Sequence, residues 1–412
     1  MGALFEYGAR IKAFSRNARL FLLAGLLGAL YQQVYGVLGN LFLLEAGLNA
    51  DFLGLMIAVS SVSNAVFALP AGMLSDRFGR KRVVISGAFL AIAGQLILVL
   101  WPTPSLALLS ALIAGAGGAV LMVSTSPFLA ENSTAEERAH LFSVNAATWT
   151  VSGVIGSFLG GALPLMWARI MESAPDSLIA YRLTLFTALI LLAVAVVPYY
   201  ALEERREPKR ATHREKMRLV LPSRELMVRL LVPEIILGFG AGMIIPFLNV
   251  YFARQLGASA AQIGSIFSVM SLVTTVALLC APLLEGKYGT VKAAVYTRIL
   301  SVPLLLTIAL TNTLWIGAVA AWFRSALMNA SMPLVSKFNM EVAGPGERAT
   351  LSSLVGMTWT VGWALGARLG GRWMETHGYN FPYFFTAALY VISAFVFYYF
   401  CLPLEEKLQS KG

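Results

Sequence analysis

The chain has 412 residues, 58% of them hydrophobic and only 13% charged, with a mean hydropathy of +0.73. Soluble domains carry about 25% charged residues, so a chain this apolar lacks the polar surface needed to stay in water. The net charge of +10 does not point to nucleic acid, because the basic residues gather in a few short segments between apolar runs.

A helix needs about 20 apolar residues to cross a hydrocarbon layer of about 30 Å, and its backbone groups must be bonded within the segment. Runs of that kind predict spans at 20–44, 52–74, 83–101, 105–130, 140–167, 179–201, 230–252, 261–284, 293–311, 314–339, 349–373 and 380–401. Residues 1–19 are basic with Phe5, Ile11 and Phe14 interspersed, and read as an amphipathic lead-in on the inner membrane surface. No cleavable signal peptide is evident. Residues 20–201 hold six spans. A charged linker follows at 202–228, broken by Pro208 and Pro222. Residues 229–401 hold six more, and 402–412 read as a tail. The clusters Arg10/Lys12/Arg16/Arg19 and Arg77/Arg80/Lys81/Arg82, and the run from Arg205 to Arg229, all fall on one side of such a chain. This positive-inside bias puts both termini in the cytoplasm.

The stretch Glu131–Gly161 returns 210 residues later as Glu341–Gly371, with 14 of 31 positions identical and no gap. The shared residues include Glu-Arg-Ala, Thr-Trp-Thr-Val and the closing Gly-Gly. Gly47–Gly54 aligns with Gly257–Gly264 at the same offset, and Ala71–Leu74 with Ala281–Leu284. Six spans per half give the halves one orientation, related by an axis along the membrane normal. The expected fold is therefore an all-α membrane protein, with twelve transmembrane helices in two six-helix bundles related by a pseudo-twofold axis.

Gly72-Met73-Leu74-Ser75-Asp76-Arg77-Phe78-Gly79-Arg80-Lys81-Arg82 joins spans 2 and 3. Gly72 and Gly79 permit close helix approach and a tight turn, and Asp76 sits at a helix end where it can meet arginines or a helix N-terminus. This run resembles the loop signature G-x-L-x-D-R-x-G-R-[KR] of the major facilitator superfamily. Residues 282–292 carry a worn copy with Glu285 and Lys287. The resemblance covers essentially the whole chain from about residue 18. It implies a secondary transporter whose inner-face charges act as gates. Glu131 and Arg138 would network with Asp76, Arg77 and Arg80, and Glu341 and Arg348 with Glu285, Lys287 or Lys292. Such pairs form as the inner side shuts and loosen as it opens. Simple helix-end charges in solvent are the plainer reading of the same residues.

Gly153, Gly156, Gly160 and Gly161 line one side of span 5, and Gly366, Gly370 and Gly371 repeat this in span 11. Small residues four apart let helices pack closely in lipid. The first ladder resembles the span-5 signature of proton-coupled drug antiporters, G-x-x-x-G-P-x-x-G-G. Here Ser157 stands in place of the proline, and Ala111 stands where such antiporters carry a span-4 arginine.

Charges inside spans default to functional hypotheses. Arg324 lies about 15 Å into span 10 at 1.5 Å per residue, and would either bind an anion or carboxylate or pin helices together. Arg298 and Arg368 read as side chains that snorkel to the surface. In span 1, Tyr31 and Tyr35 share a face with Gln32 beside it. These three, with Asn145, Asn249, Asn329, Trp322 and Trp359, line a cavity or hydrogen-bond between helices. Trp359 also recurs in the repeat as Trp149, which suits packing. Proton coupling through Asp76, through Glu234, or not at all stays open.

His140, His213 and His377 are scattered, so no metal site is expected, and no Walker A motif or Ser/His/Asp arrangement stands out. Cys280 and Cys401 lie in different spans and suggest no disulfide. The sequence thus points to a secondary transporter in the cytoplasmic (inner) membrane that needs no cofactor. It would act as a monomer on a small organic solute, anionic or zwitterionic, with lipid as a partner and protons as a further one where transport is coupled. The alternatives are a proton-coupled multidrug exporter and a non-transporting membrane sensor or scaffold.

Overall fold

The structure, a computed structural model, describes residues 14–203, 221–344 and 346–410. The amphipathic lead-in up to residue 13 and the linker residues 204–220, with most of their basic run, lie outside the described residues.

Among the described residues, twelve long helices stand where twelve spans were expected. They are α1 (Arg16–Glu45), α2 (Ala50–Phe78), α3 (Arg80–Leu100), α4 (Pro104–Glu131), α5 (Ala135–Ile170) and α6 (Leu178–Tyr200), then α7 (Arg224–Arg254), α8 (Ala260–Tyr288), α9 (Thr290–Leu310), α10 (Leu314–Val342), α11 (Arg348–His377) and α12 (Phe381–Gln409). Ten of them are both long and apolar enough to cross a bilayer, while α10 and α11 match them in length with a more polar composition. Several helices outrun their apolar stretch at the end where the basic residues cluster. Thus α12 continues to Gln409, well past residue 401. Hydropathy marks where lipid ends, whereas the backbone keeps its internal hydrogen bonds beyond that point. Helix α7 is broken once, by a 3₁₀ turn at Ile245–Phe247, where Pro246 has no N–H to give.

Contacts divide the chain into two compact units. One is Met1–Ala46, Val62–Pro208 and Ala260–Ser268; the other is Gly47–Ser61, Lys209–Ser259 and Val269–Gly412. In the first unit α1 packs on α5 and α6, and α3 on α4 and α6. In the second unit the repeat recurs as packing, with α7 on α11 and α12, and α9 on α10 and α12.

Glycines make these contacts close. A Cβ at Gly156 would stand 2.7 Å from Gln33 Cβ of α1, and one at Gly160 would press on Val34 and Val37. On α11, Gly362, Gly366 and Gly370 meet the α7 backbone at Ile235, Phe239 and Met243. Helix α7 answers with Gly238 and Gly242 against the backbone of Trp359 and Trp363. In lipid no hydrophobic force draws helices together, so this backbone approach is what holds them.

The last glycine of each ladder does something different. In the first unit Gly161 and Ser157 of α5 meet the opening turns of α8, at Ala260 and Gly264, and Ser268 Oγ donates to Val154 O at 2.7 Å. In the second unit Gly371 of α11 meets the opening turns of α2 at Ala50 and Gly54. Two charged contacts reinforce that join. Ala50 N donates to Glu375 Oε1 at 2.6 Å, and Arg368 Nη1 binds the Asp51 carboxylate.

Gly72 is less demanding than its motif suggests, since a Cβ there would meet only Val123 Cγ1, at an ordinary 3.5 Å. Gly72→Ala is therefore expected to leave thermal unfolding of the detergent-purified protein unchanged. Gly366→Ala drives a methyl into Phe239 backbone and is expected to cost about 1–3 kcal/mol, read as a clear drop in melting temperature.

Candidate functional site

In the first unit, the glycine turn at Gly79 (φ 94°) starts α3 so that Arg80 faces the end of α4. Arg80 Nε and Nη2 each donate to a Glu131 carboxylate oxygen at 2.6 Å, a bidentate pair. Arg138 Nη2 donates to Ala130 O at 3.2 Å rather than to a carboxylate. Arg77 lies over the Phe78 ring, and Asp76 is exposed near the end of α2. Lys81 Nζ donates to Leu202 O at 2.7 Å and ties α3 to the end of α6.

The second unit repeats the turn, with Gly289 at φ 81° starting α9, but solves the charges with other residues. Glu285 takes Lys337 Nζ at 2.5 Å and Thr290 Oγ1 at 2.8 Å, and Lys337 also lies 3.6 Å from Glu341. Lys337 is the centre of this cluster, and sequence reading passed over it because its counterpart in the first half is Pro127. Lys287 lies over Tyr288, and Arg348 is exposed at the start of α11. Glu405 of α12 accepts from Thr290 N at 2.6 Å and from Val291 N at 3.3 Å. It thereby caps the positive end of α9.

Deeper in the second unit lies a buried charge cluster. Arg298 was expected to snorkel, but it is 2% exposed and donates through Nη2 to Glu234 Oε1 at 2.8 Å. Glu234 is itself only 6% exposed, next to Pro233, whose carbonyl is held by Ser393 Oγ at 2.8 Å. Snorkelling fails here because the pair neutralises the guanidinium inside the bundle. The Arg368 side chain is 39% exposed and reaches the Asp51 carboxylate at the start of α2. Arg324 is 7% exposed; its Nη2 donates to Tyr390 Oη and its guanidinium lies over the Tyr390 ring at 5.5 Å. Tyr383 and Tyr251 lie nearby with tilted rings whose centroids are 4.5 Å apart, and Tyr251 Oη donates to Ile308 O at 2.8 Å.

The structure does not bring Arg324 together with its expected neighbours on α10. At 100° per residue, Trp322, Ser325 and Asn329 share a face, and Arg324 points away from it towards α12. Asn329 Nδ2 donates to Ser325 O at 2.8 Å, and Ser325 Oγ meets Thr274 of α8 at 3.1 Å. This half-buried polar chain includes two residues, Thr274 and Ser325, that sequence reading missed. Asn249 is fully buried after the α7 break, with Oδ1 accepting from Val250 N at 2.9 Å. Trp359 stacks on Trp363 with centroids 6.2 Å apart. In the first unit Tyr31 and Tyr35 stack at 6.2 Å, Gln32 is exposed beside them, and Tyr31 Oη is buried with no partner among the described residues. Asn145 is half-buried, its carbonyl accepting from Thr148 Oγ1 at 2.6 Å. No cluster of His, Cys, Asp and Glu among the described residues could hold a metal ion.

The sequence profile of the Major Facilitator Superfamily matches residues 20–234 and 230–412. The chain belongs to the major facilitator superfamily. This superfamily member is 25% identical to "Multidrug resistance protein MdtG" of Proteus mirabilis over 349 residues, covering 82% of each chain. Its fold resembles a bacterial homologue of the human lysosomal transporter Spinster in an inward-facing, unoccupied conformation. That match has a TM-score of 0.77 at 15% identity and covers 95% and 97% of the two chains. It also resembles a D-xylose-proton symporter, with a TM-score of 0.72 at 17% identity over 93% and 97%. The family and fold are those of multi-pass membrane transporters of small molecules, not of enzymes.

Arg298→Met leaves Glu234 buried alone and is expected to cost about 3–5 kcal/mol, seen as a fall in melting temperature or yield. Adding Glu234→Gln removes the stranded charge and should restore most of that loss.

Proposed function

We propose that this transporter carries a small organic solute, anionic or zwitterionic, by alternating access. The observation that carries this reading is the uncompensated cation at Arg324. Its Nε has no hydrogen-bond partner among the described residues, and its one described partner, Tyr390, is a neutral phenol. A guanidinium inside an apolar bundle favours an anion nearby, whether by direct contact or across a few ångströms of low dielectric. The polar chain of Thr274, Ser325 and Asn329 offers neutral hydrogen bonds on the other face of α10. Gating is assigned to the inner-face pairs Arg80–Glu131 and Glu285–Lys337–Glu341, which are exposed enough to exchange partners. The basic segments favour an orientation in the cytoplasmic membrane with both termini inside.

Multidrug efflux is the second reading. The likeness to MdtG over 82% of the chain favours it, and so does the ladder glycine pattern of span 5.

Reconstituted Arg324→Ala protein is expected to transport carboxylated solutes about tenfold more slowly or worse, as for loss of a charge-assisted hydrogen bond. Arg324→Lys should recover part of the rate. Full-rate export of cationic dyes by Arg324→Ala, with no carboxylate transport by the unaltered protein, would favour multidrug efflux instead.

A further inference from the structure

At one end of the second unit, the start of α7 and the ends of α10 and α12 enclose a cavity of about 430 Å³. Its floor is apolar: Leu226, Val342 and Leu404 line it and pack behind onto the core of the unit. Its mouth is charged, with Glu225, Arg229 and Lys407. Behind the mouth the Cys401 thiol meets Arg229 O at 3.9 Å, which joins the two helices that carry the cations.

The fold leaves these cations available. Lys407 Nζ has no hydrogen-bond or ion-pair partner among the described residues. The described partner of Arg229 is Glu225 on the same helix, at 2.5 Å, with the Glu225 side chain 73% exposed. An exposed pair one helical turn apart gains little in water, so Arg229 can turn part of its fork to another oxygen anion at small loss. Glu405 is committed to the N–H groups of α9, and Arg224 and Glu406 are exposed beside the mouth. The cavity thus offers two sets of N–H donors above an apolar floor rather than a surplus of charge.

Its depth matches a headgroup. The apolar runs of α7 and α12 begin at 230 and end at 401. Arg229 therefore stands at the edge of the hydrocarbon, and Lys407 about 9 Å beyond it at 1.5 Å per residue. The headgroup layer is about 5–8 Å thick on each side, and the lysine stem spans the difference. Exposed apolar stripes lead up to the mouth. On α12, Ile392, Phe395 and Tyr399 share one face, which Pro403 of the cavity continues; on α7, Val228 and Ile235 stand two turns apart. Such stripes on a spanning helix suit acyl chains rather than water.

We propose that this cavity binds an anionic phospholipid. Its phosphodiester oxygens take the N–H donors of Arg229 and Lys407, its glycerol lies over Leu226, Val342 and Leu404, and an acyl chain follows the stripe of α12. Basic pockets between helices at a membrane surface recognise headgroups in this way. The site is independent of which solute is carried.

The test titrates dioleoylphosphatidylglycerol into the full-length protein in detergent micelles and reads the melting shift. Dioleoylphosphatidylcholine controls for the chains, and glycerol 3-phosphate for a free phosphate. Phosphatidylglycerol should bind about tenfold more tightly than either, as for charge-assisted hydrogen bonds to an anchored headgroup. Arg229→Gln with Lys407→Gln should weaken that binding about tenfold. Arg19→Gln with Arg82→Gln, which removes two exposed cations of the first unit, should leave it unchanged. Glu225→Gln frees Arg229 and should tighten it. Lys407→Gln alone keeps the question answerable if the Arg229 variant does not fold. Equal binding of the two lipids, or phosphatidylglycerol binding untouched in every folded cavity variant, overturns the proposal. Equal binding of glycerol 3-phosphate marks a site for soluble phosphates and overturns the lipid. An equal loss in the Arg19 and Arg82 variant marks diffuse attraction to a basic surface and overturns the site.

Discussion

Contact between helix backbones across glycine is the interaction on which this structure depends. Lipid tails are as apolar as leucine, so burying leucine between helices gains little in a membrane. Dispersion contacts fall away within an ångström of separation, and a single Cβ at Gly366 or Gly242 would push α7 and α11 apart. The ladders on α5 and α11 are therefore the device that lets each unit cohere where the usual driving force is absent. They also explain why polar side chains such as Ser268 and Ser393 donate to carbonyls on neighbouring helices. Once backbones are close, those short hydroxyls can reach across.

Upon this shared scaffold the two halves have diverged in charge. Both start their third helix from a glycine of positive φ, Gly79 and Gly289. At the end where the third helix starts, the first half pairs Arg80 with Glu131, and the second holds Lys337 between Glu285 and Glu341. Deep charge is confined to the second half among the buried residues described: Glu234, Arg298 and Arg324 have no buried ionic counterpart in the first. The repeated packing thus frames two interiors of different charge.

The helices were legible because apolar runs of about 20 residues have few other physical meanings. The repeat was legible because Glu131–Gly161 and Glu341–Gly371 share their glycines and their Thr-Trp-Thr-Val. Arg298 was misread because a lone arginine near a span end looks like any snorkelling side chain, and its partner Glu234 lies 64 residues away on another helix. The pairing appears only when α7 and α9 are packed around α12. The separation of Arg324 from Trp322 and Asn329 was available in the sequence, since helical periodicity alone puts them on opposite faces. Lys337 carried no such signal, for the repeat holds a proline in its place.

The opening turns of α2 and α8 leave one more consequence. Residues 47–61 complete the unit built otherwise from the second half of the chain, and 260–268 complete the other. Each half thus carries both the giving and the receiving surface of the same join, Gly54 with Gly161 in one and Gly264 with Gly371 in the other. A six-helix ancestor with these glycines would have been incomplete alone and complementary to its own twin. Fusion of the gene with its copy would have fixed in one polypeptide an exchange of turns first made between two.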